Sequence, residues 1–322
     1  MMNAQTGFAL LGLLLSLLLA PFLSGIINRV KALVGGRQGR PLLQLYYDLY
    51  KLVRKSPVYP QASTWIFQTG PMVALASSLC ALFLVPFGGF DSIFSFTGDF
   101  ALLAGLFALG RLGLILSALD TGSAFEGMGA AREALFSAMA EPVFFLCMAV
   151  LAQVSNHMSL AAMLGSISMT VWSANWPLFL LLVCALFLLL LTENSRIPVD
   201  DPNTHLELTM IHEVMVLDHS GPELAFVEYA ASLKLWIFSL LIAGVLLPVS
   251  FSPLFTVDGS IGEHGIFALA LNGFGTLVMI GVIAMLVGLV ESLMARMRLE
   301  RVPQVLTLAA SFAGLGALVL WS

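Results

Sequence analysis

Long apolar runs constrain the fold of this chain more than any other feature. A helix that crosses a bilayer needs about 20 mostly apolar residues, and eight stretches of about that length follow one another along the sequence. They lie near residues 6–27, 69–89, 98–119, 134–155, 175–193, 232–251, 265–292 and 303–321. The sequence therefore predicts an all-α, polytopic membrane protein with about eight transmembrane helices, organised as a single membrane domain over residues 1–322.

The composition excludes several other classes of protein. Of the 322 residues, 59% are hydrophobic and 10% are charged, which is more apolar surface than soluble cores can bury. The net charge of -5 leaves no basic surface for nucleic acid. Cys80, Cys147 and Cys184 all lie in apolar runs, without the spacing of metal ligands. We expect no metal, no catalytic residue and no redox cofactor in this chain, and no nucleic-acid partner.

Two segments are less regular than the other spans. Residues 158–172 are moderately apolar, and either a half-span or an interfacial helix would fit them. The run at 265–292 is long enough to tilt, or to break at its glycines.

The first apolar run lacks the basic start and the cleavage site of a signal peptide. We therefore expect that run to be a transmembrane span.

The basic residues indicate the orientation of the chain. With the N-terminus outside, 12 of the 14 Lys and Arg residues fall in the loops at 28–67, 120–133, 194–231 and 293–302. The loops on the opposite side carry none. Basic loops remain in the cytoplasm, so we expect both termini outside, large cytoplasmic loops, and a multi-pass location in the cell inner (plasma) membrane.

The first of these loops combines basic residues with an amphipathic pattern. Apolar and aromatic residues recur at helical spacing over 41–52, which predicts a helix at the membrane surface. Asp48 and Lys51 are three residues apart and can form a local pair. The loop either anchors the chain to the membrane surface or docks a partner, and its docking candidates are Arg37, Arg40, Asp48 and Lys51.

Ionisable residues at membrane depth are the second marked feature. An ionisable group that faces lipid costs a few kcal/mol or more, so such groups face the protein interior or a wet cavity. We expect them to line a proton or ion path, or to form structural ion pairs such as Arg111 with Asp120 and Arg132 with Glu133. The path candidates of this set are Arg111, Asp120, Glu126, Glu133, Glu141, Glu193 and Glu291.

The third loop is rich in carboxylates and histidines. Residues 197–233 contain seven Asp and Glu and no Lys or Arg, and clustered carboxylates hold protons near neutral pH. His205, His212 and His219 recur every seven residues, so a continuous helix would place them on one side. The HExxH zinc spacing is missing. Two interpretations remain open. A proton relay would use Glu207, Glu213, Asp218, Glu228 and Lys234, and a partner-binding surface would use Asp200, Asp201, His205, His212 and His219.

Several motifs resemble one known family across essentially the whole chain. They include Gln44…Asp48…Lys51-Leu52, Asp120-Thr-Gly-Ser123, Gly129-Ala-Ala-Arg132-Glu133, Glu141-Pro142, Arg196-Ile-Pro198-Val-Asp200 and Glu291-Ser-Leu-Met294-Ala-Arg296. The sequence resembles the membrane heel subunit of respiratory complex I. It is more similar to the hydrogenase branch of that family, which comprises group 4 membrane-bound [NiFe] hydrogenases and the membrane subunit of formate hydrogenlyase.

This resemblance implies a non-catalytic subunit of an energy-converting oxidoreductase. Such a subunit docks the iron–sulfur arm and starts a carboxylate proton path. Its implied partners are hydrogenase-like large and small subunits, a ferredoxin-like iron–sulfur subunit and antiporter-like membrane subunits. Iron–sulfur clusters, and a NiFe site where one is retained, would lie in those partners. Carried over by motif, Glu207, Asp218, Glu228, Glu133 and Glu141 match acidic positions of the family, and Arg111, Lys234, Glu193 and Glu291 complete a polar axis.

Two alternatives stand beside this interpretation. One is a quinone-chamber subunit of a NADH- or ferredoxin-quinone oxidoreductase, in which quinone would bind near the carboxylate-rich loop. The other is a stand-alone ion transporter, for which the hydropathy shows no clear inverted repeat. The chain departs from the family at Arg40, which separates Gly39 from Pro41, and at Asp218-His219, where Glu-Tyr is usual.

Overall fold

A computed structural model describes residues 2–88, 92–200, 211–248, 263–295 and 297–321, and these residues form an all-α structure. We number the helices in chain order. They are α1 Met2–Val34, α2 Gln44–Val53, α3 Trp65–Leu82, α4 Asp99–Asp120, α5 Ala124–Ser155, α6 Leu160–Gly165, α7 Met169–Ala174, α8 Trp176–Glu193, α9 His212–Met215, α10 Gly221–Leu246, α11 Glu263–Leu293 and α12 Val302–Trp321, with a short 3-10 helix at Leu299–Arg301.

Eight helices of the described chain are long and apolar enough to cross a membrane. They are α1, α3, α4, α5, α8, α10, α11 and α12, the last together with the 3-10 turn before it. The predicted number of spans and the all-α class are confirmed. The side on which each terminus lies stays a prediction.

Helix α10 is the centre of the bundle. In its most apolar window 72% of the residues are buried, against 28–50% for the other spans. It packs on α1, α2, α3, α8 and α11. The Phe238 ring stacks on Phe107 of α4 with 5.4 Å between the ring centroids. A helix enclosed by neighbours can carry polar groups that lipid would not tolerate, so α10 is well placed to hold a charged site.

Two spans begin earlier than the hydropathy predicts. Helix α5 starts at Ala124 instead of near 134, and α10 starts at Gly221 instead of near 232. The first turns of both helices carry acidic residues, which favour a helix N-terminus but lower the local hydropathy. The predicted loops therefore shrink, because Glu126 and Glu133 lie on α5, and Glu223 and Glu228 lie on α10.

Residues 158–172 do not form a half-span. They contain α6 and the first residues of α7, each helix being six residues long. The buried Asp99 carboxylate at the start of α4 holds this segment, since it accepts hydrogen bonds from the Leu160 backbone N–H at 2.7 Å and from the Ser159 hydroxyl at 3.0 Å. Helix α11 is continuous through its glycines.

The amphipathic helix expected in the first loop is present as α2. It packs on α1 and α10, and the Tyr46 hydroxyl donates a hydrogen bond to the Leu18 carbonyl. Its outer face exposes Tyr47, Tyr50 and Val53. Within the helix Gln44 donates to Asp48 at 2.9 Å. We call the end of the bundle that carries residues 35–64, 194–200 and 211–220 the loop side.

Candidate functional site

Four ionisable side chains from four spans meet inside the bundle. Arg111 of α4 lies 3.2 Å from the Glu141 carboxylate of α5 and 3.3 Å from the Glu193 carboxylate of α8. Lys234 of α10 lies 2.6 Å from the other oxygen of Glu193. We call these four residues the charge quartet. Its two positive and two negative charges balance, so the group is neutral as a whole.

The quartet lies deep in the spans. Arg111 is nine residues from the loop-side end of α4 and Lys234 is thirteen residues from that of α10, or roughly 14 and 20 Å at 1.5 Å per residue. Helix α8 ends at Glu193, and the chain that follows is not helical. Irregular backbone at membrane depth is tolerated where it is buried in protein or lines a wet cavity.

Burial differs across the quartet. The side chains of Arg111 and Glu193 are 6% and 8% exposed, whereas the Glu141 side chain is 40% exposed at the surface of the bundle. A half-exposed carboxylate at membrane depth would be costly against lipid. The face around Glu141 is therefore suited to contact with another polar protein surface.

A small cavity of about 70 Å³ adjoins the quartet. Arg111, Glu193 and Lys234 contribute to its wall, together with Glu133 of α5 and His212 of α9. The volume is enough for several water molecules, and the lining is polar enough to hydrogen-bond them. Water in this cavity would connect Glu133 to the quartet.

A second cavity of about 680 Å³ lies on the loop side. It collects many residues that the sequence singled out in separate loops. Its ionisable lining consists of Lys31, Arg37, Arg40, Asp48, Arg196, Asp200, His212, Glu213 and Glu228. Both cavities are lined by Asn194, Ser195, His212, Val227 and Ala231. The two cavities are therefore neighbours, and His212 stands between them.

Glu291 of α11 is buried next to the large cavity. Its carboxylate lies 2.8 Å from Lys31 of α1 and 3.6 Å from Arg196, and its side chain is 0% exposed. Both cations also line the large cavity. Glu291 does not line the cavity itself, but its ion pairs fix the positions of Lys31 and Arg196 in the cavity wall.

Other predicted residues cap helices. Asp120 accepts hydrogen bonds from the backbone N–H groups of Thr64 and Phe67 at 2.6 and 3.1 Å, and so caps the start of α3. Its predicted pairing with Arg111 is absent, because Arg111 is bound to Glu141 and Glu193. The buried Asp200 carboxylate accepts from the backbone N–H groups of Ile211 and His212 at 2.9 and 3.2 Å.

The remaining candidates are placed as follows. The buried Glu126 carboxylate accepts from the Asp218 backbone N–H at 3.2 Å, and Asp218 itself is exposed. Lys51 is exposed on α2. Asp201, His205 and Glu207 lie outside the described residues. The roles predicted for all these side chains stay predictions.

The histidines do not share one continuous helix. His212 begins α9, which ends at Met215, and the chain to Ser220 is not α-helical. The His219 side chain is fully buried, and burial lowers its pKa to about 4. The imidazole is therefore neutral at pH 7. Burial also raises the pKa of the Tyr46 hydroxyl above its usual range, and partial desolvation together with the neighbouring Glu223 raises the pKa of Tyr59.

The sequence interpretation misses two buried ionisable residues at opposite ends of the bundle. The sequence gives Asp99 no role, although it is a buried cap, and includes Glu223 only as one of seven loop carboxylates. The sequence Ser220-Gly-Pro-Glu223 could have indicated a helix start, because Pro and an acidic residue favour the first turn. Within the described chain, no group of three or more His, Cys, Asp or Glu could hold a metal ion.

Comparison with known proteins identifies the family. The model of the family described as NADH dehydrogenase matches residues 7–321. The chain belongs to this family. It is 31% identical to formate hydrogenlyase subunit 4 of Escherichia coli (strain K12) over 299 residues, which cover 91% of this chain and 92% of that protein.

Two other comparisons agree with this assignment. Hydrogenase-4 component C of the same strain is 30% identical over 314 residues, covering 98% of this chain and 95% of that protein. In fold, the chain is similar to a chain of the membrane-bound sulfane sulfur reductase (MBS), an archaeal respiratory membrane complex, with a TM-score of 0.77, 19% identity and coverage of 97% and 98%. The predicted resemblance is confirmed, and the protein is a complex I-like membrane subunit.

Proposed function

We propose that this chain couples electron transfer in partner subunits to proton or sodium movement through the membrane. The charge quartet is the observation that carries the proposal, because it joins four spans at membrane depth. Two cavities lead from the loop side towards it. An ion would enter through the large cavity, pass His212 and the small cavity, and leave at Glu141.

The exposure of Glu141 indicates where the ion would leave this chain. A carboxylate that is 40% exposed at this depth fits a polar face of another membrane subunit better than lipid. Under this proposal an antiporter-like membrane subunit covers Glu141 and accepts the ion. We further propose that the loop side faces the cytoplasm of a cell whose inner membrane holds the complex.

The loop side would dock the iron–sulfur arm. Arg37 and Arg40 are exposed at the mouth of the large cavity, and α2 exposes an aromatic face beside it. We place the iron–sulfur clusters, and a nickel–iron site where one is retained, in hydrogenase-like and ferredoxin-like partners. Purification of the intact complex should recover these partners together with iron. A subunit that purifies alone and without iron would contradict the docking role.

The quinone alternative has less support from the cavity. Quinones carry a long apolar tail, and small-molecule sites are lined mainly by apolar residues. In the large cavity, nine of the 24 lining residues are ionisable. This lining suits water and ions, so we derive no step through a quinone. The stand-alone transporter alternative also has less support, because two relatives that match more than 90% of this chain are named as a subunit and a component.

The ion path is tested by Glu141→Gln in the intact complex, reconstituted in proteoliposomes. We expect viologen-linked electron turnover to persist and the ion gradient to collapse, because Gln keeps the shape but carries no charge and does not bind or release a proton near neutral pH. Glu300→Gln is the matched control, since Glu300 is an exposed carboxylate outside the quartet. Unchanged gradients with normal turnover in the Glu141 variant would refute the path.

A further inference from the structure

His219 and Glu223 form a buried pair that belongs to neither cavity. The His219 and Glu223 side chains are 0% and 5% exposed. The imidazole stacks on the Phe67 ring of α3, with 4.1 Å between centroids and 15° between planes. Glu223 lies in the first turn of α10. These two residues therefore face each other where α3, α4 and α10 meet the loop side.

The hydrogen bonds of Ser117 determine which imidazole nitrogen carries a proton. The Ser117 hydroxyl donates its one proton to the Phe67 carbonyl at 2.9 Å. The same oxygen lies 3.0 Å from His219 Nε2, so it accepts there. His219 Nε2 is thus the donor. In a neutral imidazole the other nitrogen, Nδ1, is then a bare acceptor.

That acceptor faces a carboxylate oxygen. His219 Nδ1 lies 3.5 Å from Glu223 Oε2, and both atoms are buried without another hydrogen-bond partner. Two buried acceptors opposite each other repel, and each would lose the hydrogen bond it had in water. One proton between them removes both costs. The geometry therefore requires a proton held by this pair.

The surroundings indicate where that proton resides. The pKa of about 4 for buried His219 keeps the imidazole neutral, which leaves the proton on the Glu223 carboxyl. The titratable groups around the pair are Tyr59, beside Glu223, Glu126, which binds the backbone N–H of Asp218, exposed Asp218 itself, and exposed Lys55, whose backbone carbonyl lies near Gly221. Tyr59, Glu126 and Asp218 are acidic groups, and none of the ion pairs within the described chain joins the Lys55 ammonium to Glu223.

Tyr59 connects the pair to water. Tyr59 is 42% exposed, and its hydroxyl lies close enough to Glu223 for the two groups to interact electrostatically. The backbone around it is held in place, since the Val58 N–H donates to the Ser220 hydroxyl at 2.9 Å. Gly221 allows the start of α10 to pack closely against the segment that contains Lys55. Its φ is +59°, and an added Cβ would lie 3.0 Å from the Lys55 carbonyl oxygen.

We propose that His219 and Glu223 form a proton-binding site that is loaded from water through the Tyr59 hydroxyl. In loading, hydronium gives a proton to the Tyr59 oxygen while the Tyr59 hydroxyl proton passes to the Glu223 carboxylate. Water, intact Tyr59 and the Glu223 carboxylic acid result. Glu223 then donates to His219 Nδ1. The site goes beyond the proposed ion path, because its occupancy does not depend on the quartet.

The test is infrared spectroscopy of the purified complex at pH 7. We expect a carbonyl band of a buried carboxylic acid that shifts on exchange into D₂O, disappears in Glu223→Gln and remains in Glu300→Gln. Tyr59→Phe should keep the band and slow its exchange. A band that is unchanged in Glu223→Gln, or exchange that is unchanged in Tyr59→Phe, would overturn the proposal.

A second variant keeps the site testable if Glu223→Gln does not assemble. His219→Phe removes the acceptor while retaining a ring that can stack on Phe67. The Glu223 carbonyl band should then move to higher wavenumber, as expected for a carboxylic acid that loses its hydrogen-bond acceptor. An unmoved band would show that Glu223 does not donate to His219. Ion pumping is not measured here, so failure of the ion path leaves these outcomes unaffected.

Discussion

The charge balance of the quartet predicts a strong coupling between Glu193 and Lys234. Glu193→Gln leaves Arg111 and Lys234 against Glu141 alone, an excess of one positive charge in a mostly buried site. Lys234→Met leaves an excess of one negative charge. The double variant restores neutrality, because Arg111 and Glu141 remain as one pair. The double variant should therefore lose less stability than the two single variants added together.

The expected size of the effect follows from burial. Removing one partner of a buried ion pair costs about 3–5 kcal/mol, and the Glu193 and Lys234 side chains are 8% and 16% exposed. Neighbouring charges couple by up to about 3 kcal/mol. At roughly 2 °C per kcal/mol, each single variant should lower the unfolding midpoint by about 6–10 °C. The double variant should recover about 6 °C relative to the sum of the single losses.

The assay is thermal unfolding of the purified complex in detergent. The measured signal is the release of this subunit from the complex as the temperature rises. Wild type, both single variants and the double variant form one cycle, and Glu300→Gln controls for loss of a carboxylate elsewhere. Additive losses, with the double variant as unstable as the sum of the singles, would refute the reasoning that the quartet is one balanced group.

Three further predictions concern residues outside the quartet. Asp120→Ala should cost about 1 kcal/mol by removing the cap of α3, while the ion-to-electron ratio stays at the wild-type value; a lost gradient would return Asp120 to the path. Because His219 has a pKa of about 4 in the fold and about 6.5 when unfolded, the unfolded state binds more protons between these values. The contribution of neutral His219 to the free energy of unfolding is therefore complete above pH 6.5 and declines as the pH falls to about 4. In His219→Phe, the unfolding midpoint should depend less on pH between these two values. Gly221→Ala should cost about 1–3 kcal/mol, since φ is +59° there, and limited proteolysis near Lys55 should become faster; an unchanged cleavage rate would show that this contact does not hold the segment.

The sequence predicts the spans and most of the polar axis because the bilayer imposes both. Eight apolar runs of this length are stable only as membrane-spanning helices. Ionisable residues such as Arg111 and Glu193 must face the protein interior, because contact with lipid would cost too much free energy. The pairing of charges is harder to predict. Arg111 and Asp120 are nine residues apart on α4, or about 2.5 turns, so they project from opposite sides of the helix. Only the packing of α5, α8 and α10 shows which carboxylates reach Arg111.

The cavities and the buried pair depend on contacts between distant segments. Lys31, Asp48, Arg196 and Glu228 lie in different parts of the sequence, and no local pattern places them around one space. Similarly, His219 is in sequence one of three regularly spaced histidines, yet Ser117 and Phe67 from two other helices decide its protonation. Periodicity describes a segment, whereas these sites are defined by the tertiary fold.

The most direct test of the coupling role is the ratio of ions moved to electrons transferred. It should be measured in proteoliposomes that contain the complex with the Glu193→Gln/Lys234→Met double variant, which restores the charge balance while removing two members of the quartet. We predict viologen-linked turnover close to that of wild type with an ion-to-electron ratio near zero. A ratio equal to that of wild type would contradict the quartet as the ion path.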